Sequence, residues 1–179
     1  RQAKTVSQGE LRRLLAQARR SNPAERNRVM VLLGVRAGLR AQEIAYLTWS
    51  MVLDANGEVG SSIEVRRSIA KWGSGRRVPM HPQLRNALVA LRARTPLIGR
   101  EPHCAVVRSA KGGAMRANSV VNWFSELFRQ AGLQGCSSHS LRRTFVTNAA
   151  RTAHRAGASL RDVQMLAGHR SIETTQCYI

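Results

Sequence analysis

Acidic residues are scarce in this 179-residue chain: ten Asp and Glu stand against 29 Lys and Arg, a formal net charge of +19. So few carboxylates cannot furnish the acidic clusters that two-metal phosphoryl chemistry requires. Lysine is scarcer still, because only Lys4, Lys71 and Lys111 occur and the other 26 cations are arginines. No apolar run approaches the ~20 residues of a membrane span. The greasiest stretch, residues 29–35, is interrupted by Gly34 and reads as a buried helix. The three cysteines, Cys104, Cys136 and Cys177, are odd in number and far apart. That argues against a secreted disulfide framework and for a reducing, cytoplasmic setting. Walker loops and dinucleotide fingerprints are absent, as are repeats and Pro/Gly/Ser-rich linkers. The opening residues carry no signal-peptide pattern. The first residue is Arg1 rather than a methionine, so the chain reads as an excised domain of a longer protein.

Apolar residues make up 43% of the chain, a normal globular share, and the length suits one domain with a proper core. A charge of +19 repels itself in a compact fold unless a polyanion is near. Guanidinium groups fork onto phosphate oxygens, which points to nucleic acid as the partner. A GC-rich coding sequence would also favour arginine, so charge by itself identifies no site.

Two helix-rich parts flank a strand-rich middle. Ser7-Gln8-Gly9-Glu10 is a capping box ahead of Leu11, Leu14, Leu15 and Ala18, and predicts a helix over 8–20. Asn22-Pro23 reads as an N-cap and first-turn proline opening a second helix, buried through Val29, Leu32 and Leu33 and stopped by Gly38. A short third helix carries residues 41–47. Ile63, Val65 and Ile69 then alternate with polar residues at strand period. After a turn at 72–75, residues 76–80 return antiparallel, and residues 51–53 supply a third strand. Leu84, Leu88 and Leu91 restore helix period, and 105–107 reads as a short strand. Asn118 caps a helix ended by Gly132, Ser138 one ended near Gly157, Ser159 one ended by Gly168, and Ser171 the last. The expectation is an α+β domain, mostly α-helical with a small antiparallel three-stranded sheet.

Four places can carry chemistry. Arg40 stands between two predicted helices, where its guanidinium can meet a phosphate near helix-start amides, with Glu43 three residues on to hold it. Taken alone this is as readily a surface ion pair. Lys71 lies at the predicted hairpin tip, with Arg76 and Arg77 on the return strand. A lysine there can donate a proton to a basic oxygen, although most hairpin lysines are only solvated. His139 and Arg142 are i and i+3 in the first turn of a helix, facing one way at an end whose dipole favours anions. Gly168 lets His169 emerge at a turn, and Tyr178 follows nine residues later as a candidate nucleophile. A free phenol ionises near a pKa of about 10, so it needs a base or a cationic site. A zinc quartet of Cys136, His139, His169 and Cys177 is the weaker alternative, since no Cys-x-x-Cys pair is present.

Taken in order, Gly38-Leu39-Arg40-x-x-Glu43, Lys71, His139-x-x-Arg142, Gly168-His169 and Tyr178 resemble the catalytic domain of the tyrosine recombinases, or phage integrases, over nearly the whole chain. The hairpin departs from that family's usual Gly-Lys-Gly by reading Ala70-Lys71-Trp72-Gly73. The resemblance implies a tyrosine recombinase catalytic-domain fold without its core-binding domain or the segment after the nucleophile. It implies site-specific cleavage and rejoining of double-stranded DNA through a 3′-phosphotyrosyl intermediate, with no metal, ATP or other cofactor. In that scheme Arg40, Lys71, His139, Arg142, His169 and Tyr178 are catalytic and Glu43 supports them. Arg66, Arg67, Arg76, Arg77, Arg116, Arg143 and Arg170 are candidate DNA contacts by their nearness to the motifs. The full-length protein is expected as a homotetramer on paired DNA sites, and the isolated segment as a monomer. A type IB topoisomerase-like enzyme, a non-catalytic DNA-binding regulator and an RNA-binding structural protein are the alternatives.

Overall fold

A computed structural model describes residues 4–178. The first helix, α1 (Gln8–Ala18), opens on the capping box, with the Ser7 N–H donating to Glu10 Oε2 at 2.7 Å. It turns Leu11, Leu14 and Ala18 inward. The second helix, α2 (Ala24–Ala37), is the axis of the domain. Residues 29–35 are all buried, because this helix packs on α4 (Pro82–Arg94) along one side and α6 (Ser138–Arg155) along another. Gly34 permits the second approach, since a Cβ there would stand 2.9 Å from Leu141 Cδ1. At the end of α2, Gly38 caps the helix with φ +63, and a Cβ would meet Phe145 Cδ1 at 2.3 Å. Only glycine satisfies both the left-handed backbone and that contact.

Beyond Gly38, α3 (Ala41–Tyr46) packs on α5 (Ala117–Gln130). The sheet consists of β1 (Ser62–Val65) and β2 (Arg76–Pro79), antiparallel, with Ile63 opposite Val78 and Val65 opposite Arg76. The chain closes with α7 (Leu160–Ala167) against α6, and α8 (Ile172–Gln176) against α7.

The mostly helical α+β expectation holds, and several details change. The sheet has two strands rather than three. Residues 49–51 form a 3₁₀ turn instead, with Met51 N–H bonding to the Thr48 carbonyl and Val52 N–H to that of Trp49. Those backbone groups are therefore spent locally, and Leu53 makes one isolated bridge, to Val59. The fully buried Trp49 anchors this turn by donating to the Gly99 carbonyl at 3.0 Å. Likewise 105–107 is no strand, and only Ala105 bridges, to Thr48. Strand β1 stops at Val65, because Ile69 and Ala70 both donate to the Arg66 carbonyl in a turn. Ile69 is buried as the anchor of that turn rather than as a strand residue.

Helix ends also move. The first helix ends at Ala18, not 20. Pro23 rather than Asn22 is the extended residue before α2, no side chain caps the helix, and the connection is held by the buried Asn27 amide donating to the Ala18 and Ser21 carbonyls. Arg116 rather than Asn118 precedes α5, and Ser137 rather than Ser138 precedes α6, each being the last residue with extended backbone. Among the described residues no helix is long and apolar enough to cross a membrane.

Candidate active site

The centre of the site is a buried carboxylate. Glu43 lies in the first turn of α3 with its side chain fully enclosed, and it accepts four hydrogen bonds. Arg76 forks onto it, NH1 to Oε1 at 2.8 Å and NH2 to Oε2 at 2.9 Å. The Arg40 N–H reaches Oε2 at 2.9 Å, and Arg40 NH1 reaches Oε1 at 3.1 Å. Burial alone would push the Glu43 carboxyl up, but the Arg76 fork and charge, with the Arg40 amide and charge, together hold it below the usual carboxylate range. The second Arg40 terminal nitrogen donates to the Gly168 carbonyl at 3.3 Å, so α3 is tied to the end of α7.

Arg142 approaches from α6. It is buried and donates to the Gly38 and Ala167 carbonyls, bridging the end of α2 to the end of α7. Burial first, and then the charges of Arg40 and Arg76, push its pKa down to about 9, so it remains a cation at neutral pH. Two guanidinium groups thus bind one carboxylate and the third stands near enough to feel all their charges, which leaves an excess of positive charge where α2, α6 and α7 meet. The arrangement suits an anion with several oxygens.

His169 follows Gly168, whose φ of +63 turns the chain out of α7. Its ring is buried, with Nδ1 3.0 Å from Thr175 Oγ1 of α8. Burial, then the charges of Arg142, Arg40 and Arg76, push its pKa down to about 4, so the ring is neutral near pH 7. Tyr178 stacks on it, with centroids 5.3 Å apart and planes 28° from parallel. The Arg143 guanidinium lies 5.3 Å from the centre of the same tyrosine ring, and Thr147 Oγ1 donates to the Tyr178 carbonyl at 3.2 Å. His139, Arg143 and Tyr178 line a cleft of about 1160 Å³ shared with Lys4 and Glu173.

The structure therefore gathers Arg40, Glu43, Arg142, His169 and Tyr178, and opens His139 onto the tyrosine's cleft. His139 and Arg142 do not present themselves alike, since the first is exposed and the second buried. Lys71 stands apart at the exposed hairpin tip, its ammonium 5.2 Å from the Trp72 ring. One link runs from the tip to the centre: Ser74 Oγ donates to the Lys71 carbonyl at 2.8 Å and lies 3.4 Å from that of Gly168.

The seven candidate DNA contacts divide. Arg66, Arg67, Arg77, Arg116 and Arg170 are exposed, Arg77 being paired with Glu64. Arg143 is half-buried against Tyr178. Arg76 is not a surface cation: only 5% of its side chain is accessible, and it packs over Gly168 with Cδ 3.0 Å from where a Cβ would stand. Strand alternation carried the signal, since Arg76 shares a face with the buried Val78 while Arg77 faces out. Among the described residues no three His, Cys, Asp or Glu side chains gather as a metal site needs, so Cys136, His139, His169 and Cys177 form no quartet.

The sequence model of the phage integrase family matches residues 4–179. Tyrosine recombinase XerD of Shewanella oneidensis is 31% identical over 180 residues, covering 97% of this chain and 56% of that protein. XerD of Ralstonia nicotianae is 33% identical, covering 98% of this chain and 55% of that one. The chain thus spans about half the length of the curated relatives it matches. Among solved structures, XerA recombinase superposes with a TM-score of 0.75 at 24% identity, over 99% of this chain and 58% of its own. XerH recombinase bound to a palindromic difH substrate, in a post-cleavage complex, gives 0.73 at 21%, over 99% and 50%. The fold is accordingly that of these recombinases.

Proposed function

This chain belongs to the phage integrase family, and from that premise we propose that it carries the catalytic machinery of a site-specific recombinase acting on double-stranded DNA. Tyr178 attacks a scissile phosphate, forms a 3′-phosphotyrosyl bond and releases a 5′-hydroxyl. The ester keeps the bond energy, so an incoming 5′-hydroxyl reverses the step onto the same or another strand. The observation that carries the reading is the convergence of Arg40, Arg142 and His169, from three distant segments, beside the one phenol stacked on that histidine.

Each residue type meets a need of the reaction. The transition state gathers negative charge on the non-bridging oxygens, and pre-positioned guanidinium groups on Arg40 and Arg142 stabilise it without reorganising. His169, neutral before substrate arrives, offers a ring N–H to the same oxygens. His139 opens onto the cleft of Tyr178 and accepts the phenolic proton. Lys71, on its exposed loop, protonates the departing 5′-oxygen. Glu43 orients Arg40 and does not react. Because side chains supply the charge, this reading calls for neither a metal nor a nucleotide cofactor. The exposed arginines grip the phosphate backbone, so binding weakens steeply with salt. Exchange between two duplexes, each with two half-sites, calls for four copies of the full-length protein.

The test is a nicked suicide duplex, from which the severed strand diffuses away. A covalent protein–DNA band is expected from the wild type and none from Tyr178→Phe. A band that survives that substitution, or wild type that binds the duplex and never yields one, would mean a different nucleophile or a non-catalytic binder.

A further inference from the structure

The hairpin tip holds a residue that the chemistry above leaves without a task. Trp72 is 72% exposed, the most exposed of the described aromatic side chains, in a chain where aromatics are only 4%. It is also the one non-glycine residue with positive φ among the described residues, at φ 62 and ψ 23. A bulky side chain in the left-handed region is strained, and an indole in water forgoes the burial it would gain elsewhere. Glycine at this position would remove both costs, and the neighbouring Gly73 shows that the tip accepts it. Strain kept at an exposed position points to a use.

The surroundings indicate which use. The Lys71 ammonium sits 5.2 Å from the centre of the Trp72 ring, so cation and ring form one unit. The base of the loop is anchored by the buried Ile69 and Ala70, and Ser74 ties it toward the Gly168 turn. Exposed Arg66, Arg67 and Arg77 edge the same hairpin, a surface that attracts a polyanion and repels another basic protein.

We propose that the Trp72 indole is a DNA-contacting element that packs on the sugar–base face of the nucleotide beside the scissile phosphate, seating Lys71 on its leaving oxygen. The proposal rests on the DNA-cleaving reading given above. The ammonium and the ring centre are 5.2 Å apart, a span that lets the ring meet a nucleotide while the ammonium meets the phosphate beside it. Every nucleotide presents the same deoxyribose toward a groove of the duplex, so the contact adds grip and alignment with little sequence preference.

The experiment compares Trp72→Gly with Trp72→Phe. Glycine deletes the ring while relieving the backbone, so a loss of function cannot be put down to misfolding, which thermal melting checks. On the nicked suicide duplex, Trp72→Gly should slow covalent-complex formation or weaken binding about 5- to 100-fold, and Trp72→Phe should restore most of it. Binding should also shield the exposed indole from acrylamide quenching, against a background of the buried Trp49 and half-buried Trp123. Wild type that cleaves while Trp72→Gly cleaves equally well overturns this proposal alone. So does an indole that stays quenchable on DNA, or one that is shielded by raising protein concentration without DNA, the mark of a protein contact. Wild type that binds duplex but never forms the covalent band overturns the catalytic reading instead.

Discussion

Glu43 and Arg142 lie enclosed, held by main-chain and guanidinium contacts, whereas Lys71 stands in solvent five residues before Arg76 on the same hairpin. In the proposed reaction these two regions do different work. Stabilising charge on a phosphate calls for donors that do not reorganise, and these sit where α2, α6 and α7 meet. Delivering a proton to a leaving group, or a phenol to a phosphorus, calls for groups that can travel. Those belong to a loop tip and to the last residues described. Tyr178 is intermediate, fixed by stacking on His169 and by Thr147, yet it lies two residues beyond the short helix α8.

The contrast predicts that substitutions in the enclosed part cost stability and activity together, while those at the tip cost activity alone. The largest stability loss is expected from Glu43→Ala, which leaves Arg40 and Arg76 facing one another without an anion. About 3–5 kcal/mol should disappear from urea unfolding, and a loss below about 0.5 kcal/mol, the range of ordinary surface changes, would erase the distinction. Arg142→Met should lower covalent-complex formation about 10²- to 10³-fold. It should also destabilise by about 1–3 kcal/mol for each of the Gly38 and Ala167 carbonyls left unsatisfied. Gly38→Ala puts a methyl group into Phe145 at a left-handed position and should cost about 1–3 kcal/mol in the same unfolding measurement.

A smaller effect concerns pH. His169 titrates near 6.5 when unfolded and near 4 when folded, so between these values the unfolded chain binds the extra proton. Its contribution to stability is intact above about 6.5 and is lost progressively as pH falls toward about 4. Melting temperatures across that window should fall less steeply for His169→Asn. Bound DNA should move the histidine pKa upward, read by NMR, because a phosphate offsets the three guanidinium charges. Lys71→Ala should be the quietest in unfolding, within about 0.5 kcal/mol of wild type. Its cleavage rate should nevertheless drop about 10²-fold or more, and much of that loss should vanish on a substrate whose leaving group needs no proton.

Local signals read well from the sequence because they act over a turn or two. The capping boxes at Ser7 and Ser159, the apolar run of α2 and the stop at Gly38 all lie where hydrogen bonding within five residues places them. The cap expected at Ser138 falls one residue earlier, at Ser137, because Ser138 already has helical backbone. The third strand failed because a 3₁₀ turn anchored by Trp49 used the same backbone groups, and that anchor depends on Gly99, fifty residues away.

Short spacings and residue type settle the family and the helical content, and they single out the side chains that the proposed chemistry uses. Tertiary structure decided how those side chains are used. Arg76 turned from a presumed surface contact into the fork on Glu43, and His169 became neutral among cations. The physical reason is distance along the chain: Glu43 and Arg76 are 33 residues apart, and Arg40 and Gly168 are 128 apart. Only packing, which no local pattern encodes, brings such partners into the low-dielectric contact where their charges reshape one another.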